Sequence, residues 1–449
     1  MDPRMDDVCA LALTLRDRLL AEVDDVEVCV ECSDRTRYVV EGEAVVAELE
    51  RDAWRVSLRA LRGGSLATAA TSVREPDVAA AVLTRALGAA QPDPLTSFAV
   101  TEGGRDMTRN ADPALWSLVD RPREVRALAA ELAARTHAVR AEVPVVLEAE
   151  VGVARSRRAL VTGRGEVAAW ASTGIDAFAM LDGNDWDAWS ATHAVSLDPV
   201  TSLGAALRRD LPRAQVQCGD FFGGPREVTV VLHPRLVEQL LRTIFLERVA
   251  LDRVAAGLSP AAVGDVLAHP GVTLWDDTGA AGSRRGGLTD DEGVVGQRTL
   301  VLEEGVLQGF VSDRRAALAM GHPASTGNGF RIPMLNEDRA EAPVRVGFGH
   351  LEAAAGEVPW TALVAGKTLL LTDLLGLHSA NRATGAFNNP VQGGLALEDG
   401  VPVARLTPGA WAVTGNLYAF LRGVTGVSKE RVHSGSALLP YLAGTVRVA

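Results

Sequence analysis

The stretch that most constrains the fold is WRVSLRALRGGSLATAATS. Trp54, Val56, Leu58 and Ala60 alternate with Arg55, Ser57 and Arg59. That period of two belongs to a strand with one apolar and one polar face. Gly63–Gly64 then supplies a hairpin turn into SLATAATS. The same alternation extends upstream: VEVCVEC, RTRYVV and AVVAELER read as strands, with a turn at Glu41–Gly42. The apolar face needs a cover. An amphipathic helix carrying Val8, Leu11, Ala12 and Leu15 precedes these strands. A second helix, EPDVAAAVLTRALGAA, follows them, with Pro76 near its start and Gly88 near its end. The first segment is therefore expected to be an antiparallel sheet with helices.

A Pro-containing connection, AAQPDPLTS, leads to a second segment. It holds the helix PREVRALAAELAARTHAV and the strands VVLEAEVGVARSRRALVTG and EVAAWAST, while the residues from Gly183 to about Asp210 carry no clear signal. CGDFFGGPRE reads as a linker into a third segment. There VTVVL runs into HPRLVEQLLRTIFLER, a helix that admits Pro234 in its first turn. Glu304–Gly305 and Asp399–Gly400 mark two hairpins, and SDRRAALAMG and GNLYAFLRGV two short helices. The expected fold class is α+β. An N-terminal antiparallel sheet-plus-helix part precedes a C-terminal domain of antiparallel, barrel-like β structure with a few helices. The expected divisions are 1–95, 96–222 and 223–449.

The formal net charge of −12, with no compensating basic run, argues against phosphate-driven nucleic-acid binding. No run reaches the roughly 18 apolar residues of a membrane span, and the N-terminus has no signal-peptide pattern. The expectation is a cytoplasmic protein without nucleic-acid or membrane partners. Of the four cysteines, Cys29 and Cys32 form C-x-x-C, but a zinc site needs a second pair. Three apart on a strand, they face opposite sides.

Several constellations invite a chemical reading. GSRRGGLTDDEG lacks the Lys-Ser/Thr of a P-loop and reads as a structured loop. Asp276, Asp277, Asp290, Asp291 and Glu292 stand beside glycines without EF-hand spacing, which is ordinary turn chemistry. None of the eight histidines pairs with another at helical metal-ligand spacing. In the helix after VTVVL, the residues Leu236, Val237, Leu240, Leu241, Ile244 and Val249 make an apolar stripe. Glu238 and Arg242 stand at i and i+4, the favourable order for a surface pair.

The order of motifs in the third segment, GVTLWDDTG, RRGGLTDDEG, QRTLVLEEGVLQGF and STGNGFR, resembles the third domain of the TldD/PmbA metallopeptidase family. LLGLHSANRATGAF, WAVTGNLYAFLRGV and HSGSALLPYLAG extend the likeness, and the N-terminal strands match more loosely. Ala386 stands where the family has a carboxylate. The family has two branches that associate as a heterodimer. The TldD branch carries a zinc motif, H-E-x-x-x-H, with a C-terminal Cys. The TldE/PmbA branch lacks it.

The resemblance places Arg242 and Glu247 at the two His positions, Thr243 at the general-base Glu, and Ser434 near the Cys. Arg cannot donate a lone pair to zinc, and Thr is no base at neutral pH. The resemblance therefore implies no catalytic residues and no metal in this chain, with zinc in a TldD-like partner. It implies a non-catalytic TldE/PmbA-like subunit of a heterodimeric zinc protease acting on unfolded or leader peptides, as in peptide maturation. Two other readings stay open: a stand-alone peptide-binding homodimer, and a hydrolase with a rearranged site using His378, His433 or Ser434. Thr326, Gly327 and Asn328, and His378, Asn381 and Thr384, are candidates for cleft or interface lining; equally, both loops can be tight turns that position the sheet.

Overall fold

The computed structural model describes residues 3–41, 44–93, 96–99, 111–140, 146–183, 186–194, 226–280, 289–333, 339–340, 342–433 and 436–448. The alternation around Trp54 becomes the middle of an antiparallel sheet. Its strands are β1 (Asp25–Glu41), β2 (Ala44–Arg62), β3 (Ser65–Thr71), β4 (Gln91–Pro92), β5 (Val146–Thr162), β6 (Val167–Gly183) and β7 (Trp186–Ala194), in the order β4-β3-β2-β1-β5-β6-β7. What reads in sequence as two pairs of short strands is one long hairpin of β1 and β2, with a register shift between Ser33 and Arg35. The segments expected as 1–95 and 96–222 thus contribute strands to a single sheet, joined by β1 against β5.

Register decides which face each residue takes. Val28, Val30, Cys32, Trp54, Val56, Leu58, Ala159 and Val161 form one buried cluster with Val8, Ala12 and Leu15 of α1 (Pro3–Leu19) and Ala79, Ala80 and Leu83 of α2 (Pro76–Leu87). Farther along that face, α3 (Pro113–Leu118) and α4 (Pro122–Arg140) cover the sheet, and Thr36 Oγ1 donates to Val119 O at 2.8 Å. Arg155 and Arg157 hold the fully buried Asp34 at 2.8 and 3.1 Å. The two cysteines fall on opposite faces as the period requires: Cys32 under the helices, Cys29 with Leu160 and Ala168 on the other side.

That other face is the surprise. Sequence alternation marks Arg55, Ser57 and Arg59 as a polar face, the kind usually left to solvent. Instead the C-terminal part covers it, leaving Ser57 and Arg59 only 5% exposed. Ser57 Oγ donates to Ala340 O at 3.0 Å, Arg59 meets Glu292 at 3.2 Å, and Arg158 of β5 meets Asp291 at 2.7 Å.

The C-terminal part is built on β8 (Arg226–Leu232), β9 (Leu274–Asp277), β10 (Arg298–Glu303), β11 (Val306–Leu307), β12 (Gly329–Arg331), β13 (Val344–Val346), β14 (Leu351–Ala353), β15 (Lys367–Leu374), β16 (Ala386–Glu398), β17 (Val401–Arg405), β18 (Ala412–Asn416), β19 (Gly426–His433) and β20 (Ala437–Val448). The pairings β20-β18-β16-β15-β8 return to β20, closing five strands into a barrel. Closure removes the free edges that an open sheet would present. β9, β10, β11 and β14 continue from β20. The hairpins form where the dipeptides stand: Glu304 and Gly305, and Asp399 and Gly400, all have positive φ, as a tight primed turn requires. A side chain at Gly305 would meet Ala268 O at 2.1 Å, so only Gly fits there.

Between β8 and β9 runs the helix Pro234–Leu240, which continues through a π-helical turn, Leu241–Phe245, into Leu246–Val249. His233 caps it, its Nδ1 accepting from Arg235 N at 3.2 Å. All six stripe residues are at most 5% exposed and join one core with barrel residues such as Leu371 and Leu442 and with Leu274 and Leu302. No helix among the described residues is long and apolar enough to cross a membrane.

Candidate functional site

The helix after β8 carries the positions that the family resemblance assigns to metal chemistry. On an α-helix, residues five apart lie about 140° around the axis. A π-turn, hydrogen-bonded from i to i+5, brings them toward one face. The π-turn here, Leu241–Phe245, lies within the Arg242–Glu247 interval. The two side chains nevertheless take separate partners.

Arg242 is held on all sides. Its Nε donates to Glu238 Oε1 at 2.8 Å, Nη1 to Phe348 O at 2.7 Å, and Nη2 to Gly349 O at 3.0 Å and Ser436 O at 2.8 Å. The i, i+4 pair with Glu238 forms, but it is not a surface pair: the side chains are 17% and 10% exposed. The reason is tertiary. The segments at Phe348–Gly349 and Ser436 lie across the helix and present carbonyls that need donors. Ser436 Oγ also donates to Glu238, at 2.6 Å.

Two histidines stand beside this cluster. The rings of His350 and His433 stand 5.5 Å apart. Burial lowers the pKa of both; His433 and then Arg242 add to the effect at His350, and Glu238 opposes it at His433. Both rings are held toward the neutral form, and His350 Nδ1 is buried with no hydrogen-bond partner among the described residues. Sequence pattern gave no sign of His350, and only proximity to Ser434 drew attention to His433.

Gly349 links this pocket to one candidate loop. Its N–H donates to Asp276 Oδ2 at 3.1 Å, and Asn328 Nδ2 donates to the same oxygen. Asn328 is fully buried, and its Nδ2 also donates to Gly347 O at 2.8 Å. Thr326 Oγ1 donates to Asn328 Oδ1 at 2.7 Å, and Gly327 has positive φ. Buried Gly327 and Asn328 and half-buried Thr326 form a turn behind the Arg242 carbonyls.

Burial lifts the Asp276 carboxyl to about 6, against an ordinary 3.8, with Asn328 and Gly349 only partly opposing it. Its folded-state value therefore lies above its unfolded one. The native state holds the extra proton between these values, so stability falls as pH rises through that window. Asp276→Asn is expected to remove this slope and to raise the unfolding free energy near neutral pH by up to roughly 3 kcal/mol. Urea unfolding at several pH values checks this. An unchanged slope in the variant would show that Asp276 does not titrate there.

The second candidate loop sits at the other end of the helix. Glu247 pairs with Arg253 at 2.8 Å and Arg382 at 3.6 Å. Tyr418 Oη donates to Arg382 O at 2.8 Å, and Arg248 lies 4.2 Å from its ring centre. His378 is exposed in a short 3-10 turn. Thr384 N donates to Asn381 Oδ1 at 3.1 Å, and Asn416 Nδ2 to Thr384 O at 2.7 Å. Thr243 is half-buried, and Ser434 lies outside the described residues. The structure therefore brings Arg242 together with Asn328's turn, and Glu247 with the 378–384 loop, as two separate places.

This donor set does not suit zinc. A permanent cation occupies the first position and Glu247 is ion-paired. Among the described residues, no three His, Cys, Asp or Glu side chains gather to hold a metal.

Residues 225–448 match the sequence model of the PmbA/TldA metallopeptidase C-terminal domain. A metalloprotease TldD homologue of Haemophilus influenzae is 40% identical over 81 residues, which are 18% of this chain and 16% of that protein's length. The crystal structure of TldE from Thermococcus kodakarensis superposes with a TM-score of 0.78 at 20% identity, over 98% of this chain and 100% of that one. A proposed modulator of a DNA gyrase from Thermotoga maritima gives 0.76 at 19% identity, over 97% and 99%. At such identities the structural matches establish the fold.

Proposed function

Through its C-terminal domain the chain belongs to the TldD/PmbA metallopeptidase family, and we propose that within it the chain is a non-catalytic, TldE/PmbA-like subunit. It pairs in the cytoplasm with a TldD-like chain that supplies the zinc, and the complex cleaves unfolded or leader peptides. The observation that carries this reading is Arg242. The resemblance assigns Arg242 to the position of the family's first zinc ligand, and its guanidinium donates to Glu238 and three carbonyls. A zinc ion there would displace a buried cation and leave those acceptors without donors.

One observation favours a second reading, a hydrolase with a rearranged site. Ser436 Oγ lies 2.6 Å from the Glu238 carboxylate, with His433 near Glu238. A hydroxyl beside a base is the start of a nucleophile. Against it, the same Glu238 oxygen that meets Ser436 already accepts from Arg242 Nε at 2.8 Å, so it is not a carboxylate reserved for the hydroxyl.

One experiment separates the readings. Zinc content and cleavage of an unfolded peptide are measured for the purified chain, for a TldD-like partner, and for the mixture. The expected result is no stoichiometric zinc and no cleavage by the chain alone, with cleavage in the mixture well above that of the partner alone. Cleavage by the chain alone that Ser436→Ala abolishes would establish the hydrolase instead. A stable homodimer that ignores the partner would favour a stand-alone peptide binder.

A further inference from the structure

The hairpin of β1 and β2 runs beyond the strand that flanks it. β3 covers β2 only from Val56 to Arg62. Upstream, β1 is paired on both sides, and β2 from Ala44 to Asp52 forms the margin of the sheet, with every residue exposed. Val45, Val46 and Leu49 are 40%, 51% and 53% exposed. Natural proteins guard such edges with charge, proline or a covering segment. This edge is barely guarded. From Ala44 to Leu49 the only charged residue is Glu48, and Arg37, opposite it on β1, holds it at 2.8 Å.

Register fixes which backbone groups point outward. Glu41 and Ala44 pair across the turn between the strands, with two residues between them. Such a closing pair spends its hydrogen bonds within the hairpin. By alternation Val46 and Glu48 also bond inward to β1, and Val45, Ala47 and Leu49 turn their N–H and C=O outward. Those groups take no backbone partner elsewhere among the described residues. The side chains of Val45, Ala47 and Leu49 lie on one face, and those of Val46, Glu48 and Glu50 on the other.

The sequence of this edge is complementary to itself. Antiparallel pairing of two copies about an axis through Ala47 sets Val45 opposite Leu49 of the second copy, and Ala47 opposite Ala47. On the other face it sets Val46 opposite Glu48 and Ala44 opposite Glu50. Apolar residues meet on one face, and no like charges meet on the other. Outward groups face outward groups, so each pair among Val45, Ala47 and Leu49 exchanges a pair of hydrogen bonds. An axis at Glu48 sets that residue opposite itself, and one at Leu49 sets Glu48 opposite Glu50; both are destabilising. An axis nearer Ala44 shortens the paired stretch. With the axis at Ala47, Ala44 of the second copy meets Glu50 at the mouth of a groove of about 400 Å³, lined also by Asp52, Trp54, Thr71 and Arg74. The second hairpin therefore ends at a recess, not against β3.

We propose that two copies of this chain pair through their Ala44–Glu50 edges, joining the two N-terminal sheets into one. The same edge serves on both copies, so pairing covers it and the contact closes at a dimer. The inference does not depend on the proposed subunit role.

Analytical ultracentrifugation of the full chain over a range of concentrations tests this. The expected result is a monomer–dimer equilibrium. Ala47→Pro removes an outward N–H that β1 does not use, and should weaken the dimer at least roughly tenfold. Leu49→Lys, which sets a cation opposite Val45, should act in the same direction. Val46→Lys faces Glu48 of the second copy, so its dimer should be at least as tight as the parent's. Circular dichroism reports that each variant folds. A monomer at every concentration, a dimer unaffected by Ala47→Pro and Leu49→Lys, or a dimer lost in Val46→Lys would each overturn the proposal. So would a monomer whose edge captures an unfolded peptide or a TldD-like chain in a manner that Ala47→Pro abolishes, because the occupant would then be another. A dimer without partner-dependent cleavage would fail the subunit role alone; cleavage with a partner by a chain that never self-associates would fail the edge pairing alone.

Discussion

Arg59→Ala is expected to lower the unfolding free energy by roughly 3–5 kcal/mol, as removal of one member of a buried ion cluster does. The guanidinium lies between Glu27 of its own sheet and Glu292 of the C-terminal part, at 3.2 Å from each. The three side chains are 6%, 2% and 3% exposed. Burial would lower the Arg59 pKa, but the two carboxylates outweigh it and hold the group charged. Glu27 is less well served: burial pushes its carboxyl up, with Arg59 and Arg331 only partly opposing. Without Arg59 both acids stay buried with little compensation. They must then be protonated or drag water in, and one link between sheet and C-terminal part is lost. Denaturant melts measure the loss. The double variant Arg59→Met, Glu292→Gln should recover part of it, because one cation and one carboxylate leave together while Glu27 keeps Arg331 at 3.9 Å. Glutamine at 292 keeps an acceptor for Arg314 N, which the carboxylate binds at 2.9 Å. A loss below about 1 kcal/mol for Arg59→Ala would mean that water reaches the cluster.

Arg242→Ala is expected to be nearly as damaging, by roughly 2–4 kcal/mol. It removes the donors to Phe348 O, Gly349 O and Ser436 O and the counter-charge of Glu238. Adding Glu238→Gln should return part of the loss, since the buried charge then goes too. Equilibrium unfolding of the single and double variants gives the coupling directly. An Arg242→Ala chain as stable as the parent would show that the guanidinium is dispensable packing, which would weaken its use as the mark of a non-catalytic site.

Much of the fold was legible in sequence. Period-two alternation gave the strands around Trp54, and Glu304–Gly305 and Asp399–Gly400 gave hairpins whose positive φ angles require such residues. Helical spacing gave the stripe from Leu236 to Val249, every member of which is buried. These signals are local: each depends on the conformation of a few neighbouring residues and on which face is apolar. The candidate site was legible only as positions. Resemblance could place Arg242, Thr243 and Glu247 on one helix. It could not show that carbonyls from Phe348, Gly349 and Ser436, about a hundred and two hundred residues away, converge on the first of them. Nor could it bring His350 to His433.

TDDEG and the alternating Arg55, Ser57 and Arg59 make the same point from the other direction. Asp beside Gly is turn chemistry in isolation, and Asp290 does serve the turn, its carboxylate accepting from Glu292 N and Val294 N. The next two acids instead cross to the sheet, Asp291 to Arg158 and Glu292 to Arg59. By itself the sequence determined most of the strands and helices, the tight turns and the apolar face of each, though not β7, where no clear pattern stands. Only the tertiary structure decided that the polar face of the N-terminal sheet is also an interior surface, and that Arg242 of the helix after β8 is held by Glu238 and three distant carbonyls. Backbone periodicity is set by neighbours, whereas the pairing of a buried charge is set by whatever distant segment the packing brings to it.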